Sequence, residues 1–176
     1  MKKAVFLDRD GVINEVLTNR VKFVNRPRDF YFLPGVPAAI QKLNAHFDYI
    51  FVVTNQGGVG LGFMKESVLQ AIHKHMIAEL RKEGAIVHDV AYCPHKPKAG
   101  CECRKPHSKL IEDLAAQYDV DLSKSYMVGD TDTDVMAGKK AGTKGVFLGE
   151  SDPIADAVFP DLPSAVDWII QDANRQ

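Results

Sequence analysis

Apolar positions along this chain come in short blocks whose period keeps changing. Ala4–Leu7 is a continuous apolar run, too short for a helix and closed by charge, which predicts a buried strand. Tyr49–Val53 is a β-branched and aromatic run of the kind that is covered on both faces in a parallel sheet. Val87–Tyr92, Ser125–Val128 and Gly145–Leu148 supply three further strands. Between these runs the spacing changes to three and four. Val36, Ala39, Ile40 and Leu43 form one helical stripe, opened by Leu33-Pro34-Gly35. Val68, Leu69, Ile72, Met76 and Leu80 form a second, in a helix over Lys65–Lys82. Ile111, Leu114, Ala115 and Tyr118 predict a third, with Ser108 as its N-cap. A short helix over Thr133–Ala141 follows, and a last one starts at Asp161-Leu162-Pro163-Ser164, with Val166, Ile169 and Ile170 inward. His73 and His75 read as surface histidines beside the second stripe, because neither has a ligand-type partner four residues away. Glu15–Phe32, with Pro27 inside it, shows no helical period and is long for a plain connector, so it is a cover loop or a small hairpin.

Strands alternating with helices predict an α/β fold: a Rossmann-like parallel sheet flanked by helices, with right-handed crossovers. Ligands of such sheets bind beyond the carboxyl ends of the strands. The conspicuous polar residues lie at those ends. Asp8 and Asp10 follow the first strand, Thr54 and Asn55 the second, and Asp130 the fourth. Side chains alternate along an extended chain, so Asp8 and Asp10 face one side, and Gly11 lets the chain turn behind them. Taken alone, Asp-x-Asp fits a charged surface turn equally well. The convergence of distant residues on one sheet edge favours a site.

Composition narrows the partner. The chain has 176 residues, 45% hydrophobic and 26% charged, which predicts one domain spanning 1–176. A formal net charge of −1 provides no field for nucleic acid or an anionic membrane. The apolar start stops at Asp8, short of a signal-peptide core, and no stretch reaches the length of a membrane span. The expectation is a cytoplasmic monomer acting on a small molecule, with neither nucleic acid nor membrane as partner. The three cysteines agree, being odd in number and confined to Cys93–Cys103, which points to metal rather than to a disulfide framework.

Acids near a Thr-Asn pair and a basic pair suit phosphoryl transfer, where anionic charge must be neutralised and attack aligned. Asp8 and Asp130 are the expected side-chain ligands of Mg²⁺, a hard cation that prefers oxygen. One of Asp8 and Asp10 can attack phosphorus, while the other protonates the leaving alkoxide and then activates water. Thr54, Asn55, Gln56 and the backbone N–H groups up to Gly57 can cradle phosphate oxygens, and Arg104-Lys105 supply fixed positive charge. Asp130-x-Asp132-x-Asp134 is not a calcium loop, since Val135 and Ala141 stand where that loop needs Gly and Glu. The glycines from Gly57 to Gly62 fit neither the dinucleotide spacing nor the P-loop. Cys93, His95, Cys101 and Cys103 form a closed set suited to structural Zn²⁺, bracing an irregular loop and aiming the basic pair that follows it.

Asp8-x-Asp10-Gly11, Thr54-Asn55, Lys105 and Gly129-Asp130-x-x-x-Asp134, in this order, resemble the four motifs of the haloacid dehalogenase-like superfamily. The resemblance implies Mg²⁺, Asp8 as nucleophile, Asp10 as general acid and base, and Thr54 and Lys105 as stabilisers of the transferring phosphoryl group. It implies Asp130 and the backbone carbonyl of Asp10 as metal ligands beside Asp8, with Asp134 in support. Leu33-Pro34-Gly35-Val36, Thr54-Asn55-Gln56, Cys93-Pro94-His95 and Cys103-Arg104-Lys105-Pro106 are similar to a narrower branch, the heptose bisphosphate and histidinol-phosphate phosphatases. That branch implies a zinc-braced loop, a minimal cap and Arg104 in substrate recognition. Lys105-Pro106-His107 and the single-domain layout favour removal of the 7-phosphate of D-glycero-D-manno-heptose 1,7-bisphosphate. Leu61 and Thr131 stand where those enzymes usually or often carry Arg and Lys, and the short His95–Cys101 spacer leans towards histidinol phosphate, the alternative substrate. A nucleic-acid 3′-end phosphatase and a zinc-stabilised module without catalysis are the remaining readings. The first lacks a basic-aromatic stripe, and the second should have lost its acids.

Overall fold

A computed structural model describes residues 1–176. Six strands form one wholly parallel sheet: β1 (Ala4–Leu7), β2 (Tyr49–Asn55), β3 (Asp89–Cys93), β4 (Tyr126–Gly129), β5 (Lys144–Leu148) and β6 (Ala157–Phe159). Their spatial order is β3-β2-β1-β4-β5-β6. The order reverses at β1, which lies between β2 and β4, so a crevice opens at the carboxyl ends of β1 and β4. The helices are α1 (Val36–Asn44), α2 (Glu66–Lys82), α3 (Lys109–Tyr118), α4 (Asp132–Ala141) and α5 (Leu162–Asn174).

The alternation within each strand divides the core in two. Val5, Leu7, Ile50, Val52, Tyr126 and Val128 face the side covered by α1, α2 and α5, in a cluster of 29 buried residues. Ala4, Phe6, Phe51, Val53 and Met127 face α3 and α4, in a cluster of 12. Because both faces are covered, β1 and β2 read as unbroken apolar runs.

Several expectations shift. β3 starts at Asp89, two residues later than the apolar pattern places it, and ends at Cys93. The edge strand β6 has no sequence signal, being three half-buried residues long. Ile170 is only half-buried. Ser108 occupies the N-cap position of α3, yet its hydroxyl donates to Glu112 (3.0 Å) and no side-chain cap forms. His73 is buried, not on the surface. It lies four residues after Leu69 and three before Met76, in phase with the stripe that α2 turns inward. His75 is half-buried, edge-on to Phe30.

Glu15–Phe32 forms a fastened loop. Leu17 N–H donates to Lys22 O (2.8 Å), Thr18 N–H donates to Val21 O (2.9 Å), and Asn14 bridges to Phe32 at the base. Val21, Val24 and Phe30 are buried in the larger core cluster. No helix is long and apolar enough to cross a membrane.

Candidate active site

Asp8 directly follows β1, and its N–H donates to Val128 O on β4 (2.9 Å), so the two strand ends stay in register up to the acids. The chain then turns at Gly11, with φ of 82°. A β-carbon there would lie 1.9 Å from Asp130 Oδ2, so glycine is what lets the β1 turn close against the acid that follows β4. Asp8, Asp130 and Asp134 bring carboxylate oxygens within 4.8 Å of one another.

Lys105 enters from the irregular loop before α3 and is 3% exposed. Its Nζ donates to Val53 O (2.8 Å), to Asp8 Oδ1 (3.0 Å) and to Asp134 Oδ1 (2.5 Å). Asp134 Oδ2 accepts from the N–H (3.1 Å) and hydroxyl (2.8 Å) of Thr131, which fastens the start of α4. Three carboxylates thus face one ammonium, leaving a surplus negative charge that a divalent cation offsets. Burial pushes the Asp8 carboxyl well above its ordinary range; Lys105 draws it back, and the charges of Asp134 and Asp10 add to the push. Burial, then the charge of Asp134, raises Asp130 to about 6.

Asp10 has a different environment. Its Oδ1 accepts from Arg9 Nε (3.1 Å), Arg9 Nη2 (2.8 Å) and Asn14 Nδ2 (2.9 Å), and its Oδ2 accepts from Gln56 Nε2 (3.1 Å). Burial would raise this carboxyl, but the Arg9 charge and these hydrogen bonds outweigh it and hold it below the usual range. Arg9 is itself 1% exposed, and its Nη1 lies 3.0 Å from His73 Nε2. The guanidinium has only protons to offer, so Nε2 is the acceptor and His73 is neutral. Burial, then the Arg9 charge, lowers His73 to about 3.

The turn after β2 divides its labour. Thr54 is buried, and its hydroxyl accepts from Gln56 Nε2 (2.9 Å). Asn55 Nδ2 donates to Lys105 O (3.2 Å), and Asn55 Oδ1 accepts from Lys105 N–H (3.0 Å). Asn55 therefore clamps the loop that delivers Lys105. A cleft of about 420 Å³ opens above this turn, lined by Asp10, Asn55, Gln56, Gly57 and Gly58. Arg104 and Lys105 diverge: Lys105 points in, while Arg104 lies over the turn, with Nη1 3.2 Å from where a Gly57 β-carbon would be.

Cys93, at the end of β3, meets Cys103 (2.8 Å) and Cys101 (3.6 Å) through sulfur, and His95 Nδ1 lies 3.4 Å from Cys93 Sγ and 3.2 Å from Cys103 Sγ. Ligands about 2.0–2.3 Å from a tetrahedral zinc lie roughly 3.5 Å apart, so the donor set fits that ion in kind and size. Burial, then contact with Cys103, raises the Cys93 thiol to about 12, and metal binding would relieve this by taking the thiolate. Arg9, Asn14 and His73 were not singled out by the sequence as site residues. Arg9 alone left a signal there, a cation between two acids.

Comparison with known proteins agrees with this geometry. A family model described as HAD-hydrolase-like matches residues 102–165. The chain is 41% identical over 157 residues to the D-glycero-β-D-manno-heptose-1,7-bisphosphate 7-phosphatase of Rhodopseudomonas palustris, covering 85% of each chain. It is 37% identical over 166 residues to a D-glycero-α-D-manno-heptose-1,7-bisphosphate 7-phosphatase of Mycobacterium tuberculosis, covering 90% of this chain and 86% of that one. The crystal structure of D,D-heptose 1,7-bisphosphate phosphatase from Bordetella bronchiseptica, complexed with magnesium and phosphate, superposes with a TM-score of 0.85 at 33% identity, over 97% of this chain and 99% of that one. With its acids gathered at the switch point of a parallel sheet and relatives this similar over nearly their whole length, the chain belongs to the haloacid dehalogenase-like hydrolases, in the branch of the heptose bisphosphate phosphatases, and is a phosphatase.

Proposed function

We propose that this phosphatase removes the 7-phosphate of D-glycero-D-manno-heptose 1,7-bisphosphate, with Asp8 as nucleophile and Asp10 as general acid and base. The observation that carries the roles is the contrast between the two acids. Asp8 is buried against Lys105, whereas Asp10 opens to the cleft with its side chain 30% exposed and both oxygens held by protein donors. The substrate rests on the named activities of the relatives.

Asp8 attacks phosphorus while the bond from phosphorus to the sugar oxygen breaks; the negative charge of the bound substrate opposes the Arg9 charge and raises Asp10 from its low resting value, so that Asp10 carries the proton it gives to that oxygen. Asp10 then takes a proton from water as the water attacks the phosphoryl group on Asp8, freeing phosphate and restoring the carboxylate. Lys105 and Thr54 offset charge on the transferring group, and Asn55 keeps Lys105 in place. Gln56 couples Thr54 to Asp10, and Gly57 with Arg104 flanks the leaving group.

Asp8, Asp130 and the backbone carbonyl of Asp10, which no backbone N–H reaches, would hold Mg²⁺. Bound there, the ion supplies positive charge against the phosphoryl oxygens. Cys93, His95, Cys101 and Cys103 would hold Zn²⁺ as a brace. A cytoplasmic setting, where thiols stay reduced, suits that set.

Following the purified protein with Mg²⁺ and either anomer of the bisphosphate by ³¹P NMR tests the reading. The expected result is loss of the 7-phosphate signal with the 1-phosphate retained. Retention of both signals, with another phosphate ester hydrolysed instead, would replace this substrate.

A further inference from the structure

The cleft has a wall that the catalytic roles leave unused. Val21 and Val24 anchor the Glu15–Phe32 loop in the core, and the two residues between them, Lys22 and Phe23, are turned out to line the cleft. Two backbone hydrogen bonds close the turn, Leu17 N–H to Lys22 O (2.8 Å) and Thr18 N–H to Val21 O (2.9 Å), so the Lys22 backbone is fixed in place. Leu61 and Phe63 line the cleft from the turn after β2 and bring no charge.

Two cations line this cleft, and they differ in what they face. The Arg9 guanidinium is buried on Asp10 and His73. Lys22 is exposed, makes no ion pair with any carboxylate, and places its ammonium 5.8 Å from the Phe23 ring centre. Phe23 and Phe63 are 55% and 70% exposed, large apolar surfaces to leave in water beside a polar site. Phenyl rings offer flat apolar surface to the C–H face of a sugar, and a lysine on a fixed turn offers a point charge to an anion. A cleft of about 420 Å³ is large enough for a phosphorylated sugar.

We propose that Lys22 binds the second, non-scissile phosphate of a sugar bisphosphate, with Phe23 and Phe63 flanking the sugar between its two phosphates. This rests on the bisphosphate reading above and adds to it the group that tells a bisphosphate from a monophosphate. The scissile phosphate sits at Asp8, and the other end of the substrate reaches the mouth of the cleft where Lys22 stands.

The test compares kcat/KM for heptose 1,7-bisphosphate with that for heptose 7-phosphate, in wild type, Lys22→Gln and Lys22→Arg. A charge-assisted contact of the usual strength predicts that Lys22→Gln lowers the bisphosphate-to-monophosphate preference about 10- to 100-fold, mostly through KM. Lys22→Arg should recover most of that preference. Equal losses on both substrates, or an intact preference in Lys22→Gln, overturn the assignment while leaving the substrate reading standing. Wild-type protein that leaves the bisphosphate untouched overturns both, so the two failures are distinct. Lys22 is exposed, so the substitutions leave the core undisturbed.

Discussion

At the scale of single residues, the environment of a side chain decides its role more than its type does. Asp8 and Asp10 are two positions apart, yet burial raises one and a buried arginine lowers the other. His73 carries a consequence for stability. Its folded value of about 3 lies below the ordinary histidine value of about 6.5, so between these pH values the unfolded chain binds the extra proton. Stability from this group is therefore full above pH ~6.5 and is lost as pH falls towards ~3, by at most roughly 5 kcal/mol. Arg9 and Asp10 face the ring, with Arg9 opposing protonation and Asp10 favouring it. Asp130, raised to about 6, acts in the opposite sense, losing stability as pH rises through the same region. The variant His73→Gln keeps an acceptor for Arg9 but cannot titrate. Thermal melts between pH 7 and pH 4 should show a shallower acid limb for it than for wild type, and parallel limbs would contradict the assignment. Asp8, Asp10 and Asp130 were legible in the sequence because acids that end apolar runs stand out. His73 was not, because a polar residue inside an apolar stripe looks the same whether it is buried with a partner or facing water.

At the scale of elements, the strands that were easy to read are those covered on both faces, β1 and β2. β6 was invisible because an edge strand of three half-buried residues has neither length nor period. The Glu15–Phe32 loop could be bounded but not described, since Val21 and Val24 anchor it through contacts distant in sequence. Helix caps are testable here. Asp161 accepts from Ser164 N–H (3.0 Å) at the start of α5, so Asp161→Ala should cost about 1 kcal/mol in chemical denaturation, with kinetics unaffected. A loss well below that would mean the cap contributes little. The cysteine loop makes the reverse prediction. Metal analysis should find about one zinc per chain, and removing it should lower both the melting temperature and kcat, because Arg104 and Lys105 follow Cys103 directly. Protein prepared without chelators that carries no zinc would contradict the brace.

At the scale of the whole molecule, the sheet order brings together what the sequence separates. β1 and β4 are neighbours, so Asp8 and Asp130 meet across Gly11, and Lys105 reaches both Asp8 and Asp134 from a loop. The surplus of carboxylates predicts that Mg²⁺ at about 100 times its Kd stabilises the fold by roughly 2.7 kcal/mol. Asp130→Asn should lose most of that shift, and an undiminished shift would place the ion elsewhere. The central claim is that Asp8 takes the phosphoryl group. It is tested most directly by acid-quenching the protein during turnover and mapping the phosphorylated peptide by mass spectrometry. The account predicts a phosphoryl adduct on the peptide that carries Asp8, absent together with turnover in Asp8→Asn. An adduct on another residue, or an Asp8→Asn protein that retains the full rate, would contradict it.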